Sequence, residues 1–289
     1  MKYIILIIVL FPSFLYGQSL SSERVSNLKA ATVRVIVEGG ISVGSGFFIT
    51  ETGLLVTCLH VAAPAVLNKK KIYVEFNNGD TTEVVFPGIL NSDTSYVKAV
   101  NAFDFCLLSI KSGTRKTAFL KLGDFNNVRE GDEIYTCGYP LGMTHQFISK
   151  GILSSKYLNN KIRIELFGKG FDMARQEALL DITLNRGNSG GAIVKIGSSA
   201  NDDEVIGIAD FAVNPLGSYA DSIINSVNDP GFQYRMNVVQ DSTGKIISET
   251  NLNTSLLKMA EAHKSTSIGI SGCVAINHLK AILVKYGVK

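Results

Sequence analysis

The chain contains 289 residues, with 28 Lys and Arg against 25 Asp and Glu, and carries a formal net charge of +3. So small a net charge gives no field strong enough to predict nucleic-acid binding. With 46% hydrophobic and 18% charged residues, the composition excludes a disordered chain and predicts a large buried core.

The first 17 residues predict a signal peptide. Lys2 precedes an apolar run, Tyr3 to Leu10, and the segment closes at Gly17. The run is shorter than the roughly 18 apolar residues of a spanning helix, and Pro12 interrupts it, so a retained membrane anchor is the weaker alternative. We therefore expect export to the periplasm or the extracellular space, without stable membrane insertion after cleavage.

Strand patterns dominate the chain after a short helical stretch at 22–30. Segments rich in β-branched and aromatic residues alternate with Gly, Asn or Asp turns, which predicts antiparallel hairpins. These segments lie at 32–37, 46–49, 54–57, 72–76, 133–137, 162–166, 191–195 and 205–209. Apolar residues at helical spacing in 276–286 predict a final amphipathic helix docked on the core. Two small β-barrels with short terminal helices, a mostly all-β fold, account for this order.

The segment Lys111 to Lys116 is rich in Lys, Gly, Ser and Thr and predicts a linker. We therefore expect an N-terminal barrel at 18–115 and a C-terminal barrel at 116–289.

The cysteines show no close spacing typical of a zinc site or a redox pair. They are Cys58, Cys106, Cys137 and Cys273. An exported protein permits three pairings of four cysteines, but a core of this size does not require disulfides. Buried free thiols are the favoured interpretation.

Three segments carry residues suited to nucleophilic catalysis. Ser189 lies among glycines in 187–191, where backbone N–H groups can approach a substrate carbonyl without obstruction by a Cβ atom. His60 closes the apolar segment 54–62, and Asp104 has apolar residues on both sides. A buried carboxylate needs a donor, and an imidazole N–H is one. Taken singly, the serine motif is also a structural turn and the histidine also a core residue.

At these segments the sequence resembles the chymotrypsin-fold serine proteases, specifically the HtrA/Deg-like branch. The matching segments, in the family's order, are 44–49, 55–61, 103–110, 122–124, 128–132, 138–142, 187–191 and 205–208. The resemblance implies two six-stranded antiparallel β-barrels and covers most of 22–286 apart from one insertion. The PDZ domain common in this family is expected to be absent.

The resemblance also implies roles for individual residues. Ser189 would attack the acyl carbon, His60 would take and return its proton, and Asp104 would fix the imidazole tautomer. The N–H groups of Gly187 and Ser189 would form the oxyanion hole. No metal or other cofactor is needed. The implied substrate pocket is neutral and suited to small or medium aliphatic P1 residues; it consists of Thr183, Ile208, Asp210, Phe211 and Gly272.

Three positions depart from the family pattern. Asn188 stands where trypsin-like zymogens carry an aspartate, so activation by N-terminal cleavage is not expected. Arg186 replaces the usual proline, which leaves the oxyanion turn less constrained. Asp210 replaces a small hydroxyl close to the catalytic aspartate. It is either a solvated residue at a strand end or a second carboxylate that raises one pKa through repulsion with Asp104.

Two expectations concern neighbours of the implied triad. Cys58 lies two residues before His60 and Cys106 two after Asp104, so strand alternation predicts that the two thiols lie close together. Whether they form a bond is left open. The remaining histidines, His145, His263 and His278, fit none of these motifs and are expected at the surface.

The insertion at 213–266 replaces what is a short loop in the family. A hairpin is predicted at 234–248 and a short helix at 255–262. We expect the insertion to cover or extend the cleft, in place of the PDZ domain; a surface flap without function is the alternative.

The sequence therefore predicts an exported serine endopeptidase that hydrolyses extracytoplasmic or misfolded proteins. Its partners would be protein or peptide substrates, not nucleic acid, and the oligomeric state is not encoded in any motif. A low-turnover, chaperone-like binding protein with a protease fold and, more weakly, an esterase using the same triad are the alternatives.

Overall fold

A computed structural model describes residues 19–88, 94–111, 116–166, 169–212, 217–227, 237–250, 255–260 and 269–287. The predicted signal peptide and most of the predicted linker lie outside these ranges. Within them, no helix combines the length and the apolar composition needed to cross a membrane.

The helices are α1 (Ser22–Ala31), α2 (Leu59–Leu67), α3 (Thr94–Phe103), α4 (Gly217–Val227) and α5 (Ile276–Lys285). The strands are β1 (Thr32–Val37), β2 (Val43–Phe48), β3 (Leu54–Cys58), β4 (Ile72–Glu75), β5 (Thr81–Val85), β6 (Phe105–Ile110), β7 (Glu133–Gly138), β8 (Phe147–Leu166), β9 (Lys169–Asp181), β10 (Ala192–Lys195), β11 (Glu204–Ala212), β12 (Asn237–Gln240), β13 (Ile246–Thr250) and β14 (Ile270–Ala275).

Two antiparallel barrels organise these strands. The first closes in the order β1-β2-β3-β6-β5-β4, and the second in the order β10-β11-β14-β9-β8-β7. Pairing of β4 with β1 closes the first barrel, and pairing of β7 with β10 closes the second. The predicted fold of two six-stranded antiparallel barrels is confirmed.

Alternating burial along the strands builds the barrel interiors. In β1, Val33, Val35 and Val37 are fully buried, while Arg34 points outward and pairs with Glu75. The first barrel shares its hydrophobic cluster with strands of the second barrel and with α5. The chain's last helix is therefore docked on the core, as predicted, through its apolar positions Ile276, Leu279, Ile282 and Leu283.

Three helices were not predicted. Helix α2 follows β3 directly, and α3 precedes β6, so that His60 lies in the first turn of a helix. Asp104 is a turn residue with φ +51° between α3 and β6, and its expected place within a strand is wrong.

Within the insertion, α4 was missed, whereas the hairpin formed by β12 and β13 and a helical turn at 255–260 are confirmed.

All four cysteines are buried and free. The Cys106 sulfur lies 3.9 Å from the Cys58 carbonyl oxygen, so the expected proximity is confirmed. The predicted reason, alternation along strands that also carry His60 and Asp104, is wrong because neither residue lies on a strand. The cysteines are brought together by the pairing of β3 with β6, in which Cys106 faces Thr57. Burial also raises the pKa of both thiols, which keeps them protonated.

We expect four free thiols per chain when unreduced protein is denatured and titrated with a thiol reagent. In native protein the same reagent should react slowly, because each sulfur is buried. Two free thiols in the denatured protein would show that a disulfide forms and would contradict the arrangement.

Candidate active site

Asp104 joins helix α2 to the strand β6. Its carbonyl oxygen accepts the Leu59 N–H at 3.1 Å, and its carboxylate accepts the His60 backbone N–H at 2.9 Å. These N–H groups belong to the first turn of α2, which has no acceptors of its own for them. Asp104 therefore caps the positive end of this helix, where a carboxylate is stabilised.

The same carboxylate orients the imidazole of His60. Its second oxygen lies 2.5 Å from the His60 Nδ1. Because Nδ1 is bound to the carboxylate, the proton on the neutral ring is held there and Nε2 is left as the acceptor. The left-handed backbone of Asp104 makes both contacts possible, and aspartate tolerates that conformation better than most residues.

Ser189 is brought to this pair by the second barrel. The N–H of Ser45, on β2, donates to the Ser189 carbonyl oxygen at 2.9 Å. A Cβ atom on Gly44 would lie 2.6 Å from the Val61 side chain and 3.1 Å from the Ser189 carbonyl oxygen. The serine backbone thus packs on β2 beside the residue that follows His60.

The turn around Ser189 requires two glycines. Gly187 and Gly190 have φ values of +98° and +85°. A Cβ on Gly187 would lie 2.2 Å from the Tyr139 carbonyl oxygen, and one on Gly190 would lie 2.3 Å from the Ser45 carbonyl oxygen. The first glycine is held against the second barrel and the second against the first barrel, so the turn fills the junction between them.

Two N–H groups of this turn remain open. In the described part of the chain, no backbone or side-chain group accepts the N–H of Gly187 or of Ser189. The Arg186 carbonyl oxygen accepts the Leu141 N–H at 2.6 Å. Because the N–H and C=O of a trans peptide point in opposite directions, this bond turns the Gly187 N–H away from Leu141.

Asp210 is buried beside Asp104. Its side chain is 9% exposed and lies 3.2 Å from the Arg175 guanidinium, which also pairs with Glu177. Oxygen atoms of the two aspartates, a ring nitrogen of His60 and the Cys58 sulfur all lie within 4.8 Å of one another. The interpretation of Asp210 as a solvated residue is wrong, and the alternative of two interacting carboxylates is confirmed.

The pKa values follow from these contacts. Burial lowers the pKa of His60, but the hydrogen bond and charge of Asp104 and the charge of Asp210 outweigh it, so the pKa lies above its ordinary value. Burial raises the pKa of Asp104, but hydrogen bonds from His60 and Asp210 bring it below its ordinary value. Burial, then the charge of Asp104 and the hydrogen bond to it, raise the pKa of Asp210 to about 7.

The cluster of Cys58, His60, Asp104 and Asp210 also offers sulfur, nitrogen and oxygen donors that could meet at one metal ion. His60 and Asp104 already use each other as partners, and the Cys58 thiol donates to the Ala209 carbonyl oxygen at 3.2 Å. Burial raises the pKa of Cys58, which disfavours the thiolate that a metal requires.

The predicted pocket residues occupy different surroundings. Thr183 is exposed, whereas Ile208 is buried within the hydrophobic core. Phe211 and Gly272 are cross-strand partners, and atoms of the Phe211 ring lie 2.0–2.4 Å from where a Cβ on Gly272 would stand. The aromatic ring therefore fills the space above this glycine.

His278 is not the surface residue that was expected. Its ring stacks on Phe103 with centroids 3.9 Å apart, and its Nε2 accepts the Gln176 N–H at 2.9 Å. Burial, followed by the charge of Arg175, lowers the pKa of His278 to about 4. His145 is exposed, and His263 lies outside the described residues.

Arg175 and Glu177 were missed by sequence reasoning. They are two residues apart on β9 and therefore face the same way. Two opposite charges at alternate positions of one strand were the available signal. It did not reveal the partner, because Asp210 is on a different strand of the barrel.

The model of the trypsin-like peptidase domain family matches residues 44–208. A probable periplasmic serine endoprotease DegP-like from Rickettsia prowazekii (strain Madrid E) is 32% identical over 178 residues, 62% of this chain and 30% of the relative. A relative of the same name from Brucella suis biovar 1 (strain 1330) is 30% identical over 202 residues, 70% of this chain and 33% of the relative.

Human serine protease HTRA4 is 32% identical over 178 residues, 61% of this chain and 32% of the relative. The chain thus spans about a third of the length of these curated relatives. A solved HtrA-type protease with a tripeptide aligns with a TM-score of 0.54 at 19% identity, covering 93% of this chain and 64% of that chain. This last likeness is one of fold.

Gly190→Ala should lower the free energy of unfolding by about 2 kcal/mol or more, because a methyl group there meets backbone atoms of the first barrel. Gly79→Ala is the matched control: φ is +86° there, but no atom lies within 4 Å of the added methyl group. The control should lose only about 1 kcal/mol, the cost of the left-handed conformation alone. Equal losses in chemical denaturation would show that the turn does not pack at the barrel junction.

Proposed function

The chain belongs to the trypsin-like peptidase domain family, and from that premise we propose that it is an exported serine endopeptidase. Its substrates would be peptide bonds of extracytoplasmic or misfolded proteins. The observation that carries the proposal is the double contact of Asp104 with His60, directly beside the glycine turn that bears Ser189.

The proposed reaction uses the three side chains in sequence. His60 Nε2 accepts the Ser189 hydroxyl proton while the oxygen attacks the scissile carbonyl carbon. Asp104 holds the Nδ1 proton in place and stabilises the imidazolium that forms. The imidazolium then protonates the leaving amine, and a water molecule repeats the cycle to release the acyl group.

Negative charge on the carbonyl oxygen would be stabilised by the N–H groups of Gly187 and Ser189. Neither has another acceptor among the described residues, and the Leu141 contact fixes the orientation of the Gly187 peptide. This contact supplies the constraint that proline gives elsewhere in the family and that Arg186 lacks. A donor of this kind contributes about 2.7 to 4 kcal/mol to barrier lowering.

Ser189→Ala should abolish casein hydrolysis, with a loss of about 10⁴-fold or more in kcat, because the nucleophile is removed. Ser198→Ala is the matched control, since Ser198 is an exposed serine whose hydroxyl donates to Asp202 in the same loop. The control should retain wild-type rates. Hydrolysis of casein by Ser189→Ala at the wild-type rate would contradict the mechanism. Hydrolysis of nitrophenyl esters by the wild-type protein, with no hydrolysis of casein, would favour the esterase.

The Phe211 ring above Gly272 supports a shallow P1 pocket. In the proposed site this glycine and the exposed Thr183 line the pocket, and the ring occupies the volume that a long P1 side chain needs. Asp210 contributes no free charge to it, because its carboxyl faces Asp104 and Arg175. Small uncharged P1 residues would be preferred over Lys or Arg.

Phe211→Ala should therefore enlarge the pocket and raise kcat/KM for Leu or Phe at P1 by about tenfold relative to Ala at P1. Peptide-library profiling would measure the ratio. Phe119→Ala, at a phenylalanine that is 54% exposed, is the control and should leave the ratio unchanged. A wild-type profile dominated by Lys or Arg would contradict the pocket assignment.

Export is supported by the composition of residues 1–17 and by the Rickettsia and Brucella relatives, both of which are named as probable periplasmic endoproteases. We further propose that the insertion at 213–266 flanks the cleft. It joins β11, which bears Asp210 and Phe211, to β14, which bears Gly272, so the two strands that it connects both carry residues of the proposed pocket.

A further inference from the structure

A strand irregularity turns Asp210 toward the catalytic pair. In the pairing of β11 with β14, Ala209 faces Cys273 and Phe211 faces the next residue, Gly272. Asp210 is thus the extra residue of a β-bulge. Bulges re-aim a side chain next to a site, and here the side chain is buried against Asp104.

The contacts decide which of the two carboxyls holds a proton. Two carboxylates in one buried place cannot both ionise freely. Asp104 accepts both the backbone N–H and the ring Nδ1–H of His60, which favours its ionised form. Asp210 has the Arg175 guanidinium as a partner, and that guanidinium is shared with Glu177. The proton therefore resides on Asp210.

We propose that Asp210 is a positioning residue that works as a neutral acid: it donates a hydrogen bond to the Asp104 carboxylate and so holds Asp104 on His60. The inference rests on the proposed function, since the carboxylate that it positions orients the proposed general base, His60. When Asp210 loses its proton to solvent, the donor disappears and a second negative charge stands beside Asp104.

Among the described residues, the charged and titratable groups around Asp210 come from five other places in the fold. They are Cys58 from β3, His60 from α2, Asp104 from the turn before β6, Arg175 and Glu177 from β9, and Cys273 from β14, with His278 of α5 packed behind Arg175.

Few of these groups change charge near neutral pH. Burial raises the pKa of Cys58 and brings that of Cys273 to about 12, so both thiols stay protonated. His278 is neutral above pH 5, because its pKa is about 4. Arg175 and Glu177 compensate each other. The titration of the site between pH 5 and 8 therefore belongs to His60 and Asp210.

Ionisation of Asp210 should also act on His60. A negative charge at this distance favours the imidazolium and raises the pKa of the ring. His60 is a base only when neutral. The acid limb of activity should therefore lie at a higher pH in the wild-type protein than in a variant in which residue 210 stays uncharged.

The test compares three substitutions. Asp210→Asn and Asp210→Ser keep a neutral donor, whereas Asp210→Ala removes it. In the acid limb of kcat/KM against pH, the Asn and Ser variants should have an apparent pKa lower than wild type by about half a unit or more. Their kcat at pH 8 should exceed that of the Ala variant by about tenfold. Equal losses of kcat in all three variants, together with an unchanged apparent pKa of the acid limb, would show a merely structural role and would overturn the inference.

A second measurement is independent of turnover. NMR titration of the His60 ring in Ser189→Ala should give a lower pKa when Asp210→Asn is added, and no change when Asp203→Asn is added. Asp203 is a comparably buried aspartate, paired with Arg24. An unchanged His60 pKa in the Asp210→Asn protein would overturn the inference even if wild type is a protease. A lowered pKa in a protein without proteolysis would support the positioning contact while the proposed function fails.

Thermal unfolding tests how the protonation of Asp210 changes stability with pH. The pKa of Asp210 is raised in the folded state, so its contribution to stability is complete below pH 4 and is lost as pH rises toward 7. The melting temperature of Ser189→Ala/Asp210→Asn minus that of Ser189→Ala should increase by several degrees over this window. A constant difference would show that Asp210 holds no proton and would overturn the inference.

Discussion

One buried serine holds the two barrels together at the site. Ser45 is fully buried on β2, and its N–H binds the carbonyl oxygen of Ser189 at 2.9 Å. Its hydroxyl donates to the Gly187 carbonyl oxygen at 2.6 Å and accepts the Tyr139 N–H at 3.0 Å. The N–H and the hydroxyl of this residue therefore fix the second barrel to the first, while its carbonyl oxygen accepts the Thr57 hydroxyl at 2.7 Å within the first barrel. The position of Ser189 relative to His60 depends on these bonds.

The electrostatics of the site follow from the same junction. Asp104 and His60 come from the first barrel, whereas Asp210 and Arg175 come from the second. Burying these charges is expensive unless each finds a partner. The chain Glu177–Arg175–Asp210–Asp104–His60 provides partners in sequence across the interface. Ionisation of Asp210 therefore acts, together with Asp104, on the pKa of the His60 imidazole.

The sequence was sufficient to predict the two barrels, because alternating β-branched residues and glycine turns mark most strands. It was also sufficient to predict that Cys58 lies close to Cys106. It was insufficient for α2, whose residues 59–67 form a short apolar run that continues β3 and shows no helical period. It also misplaced Asp104, since a left-handed turn after a helix has no signature other than the aspartate itself. The pairing of Asp210 with Arg175 joins positions 35 residues apart, and only the barrel register brings them together.

Covalent labelling tests the central claim, that the barrel junction activates Ser189 as a nucleophile. Purified protein treated with an organophosphonate should gain one adduct, located on Ser189 by mass spectrometry, and His60→Ala should not be labelled because the serine loses its base. Absence of an adduct on Ser189 in a folded protein, or equal labelling in the His60→Ala variant, would contradict the account.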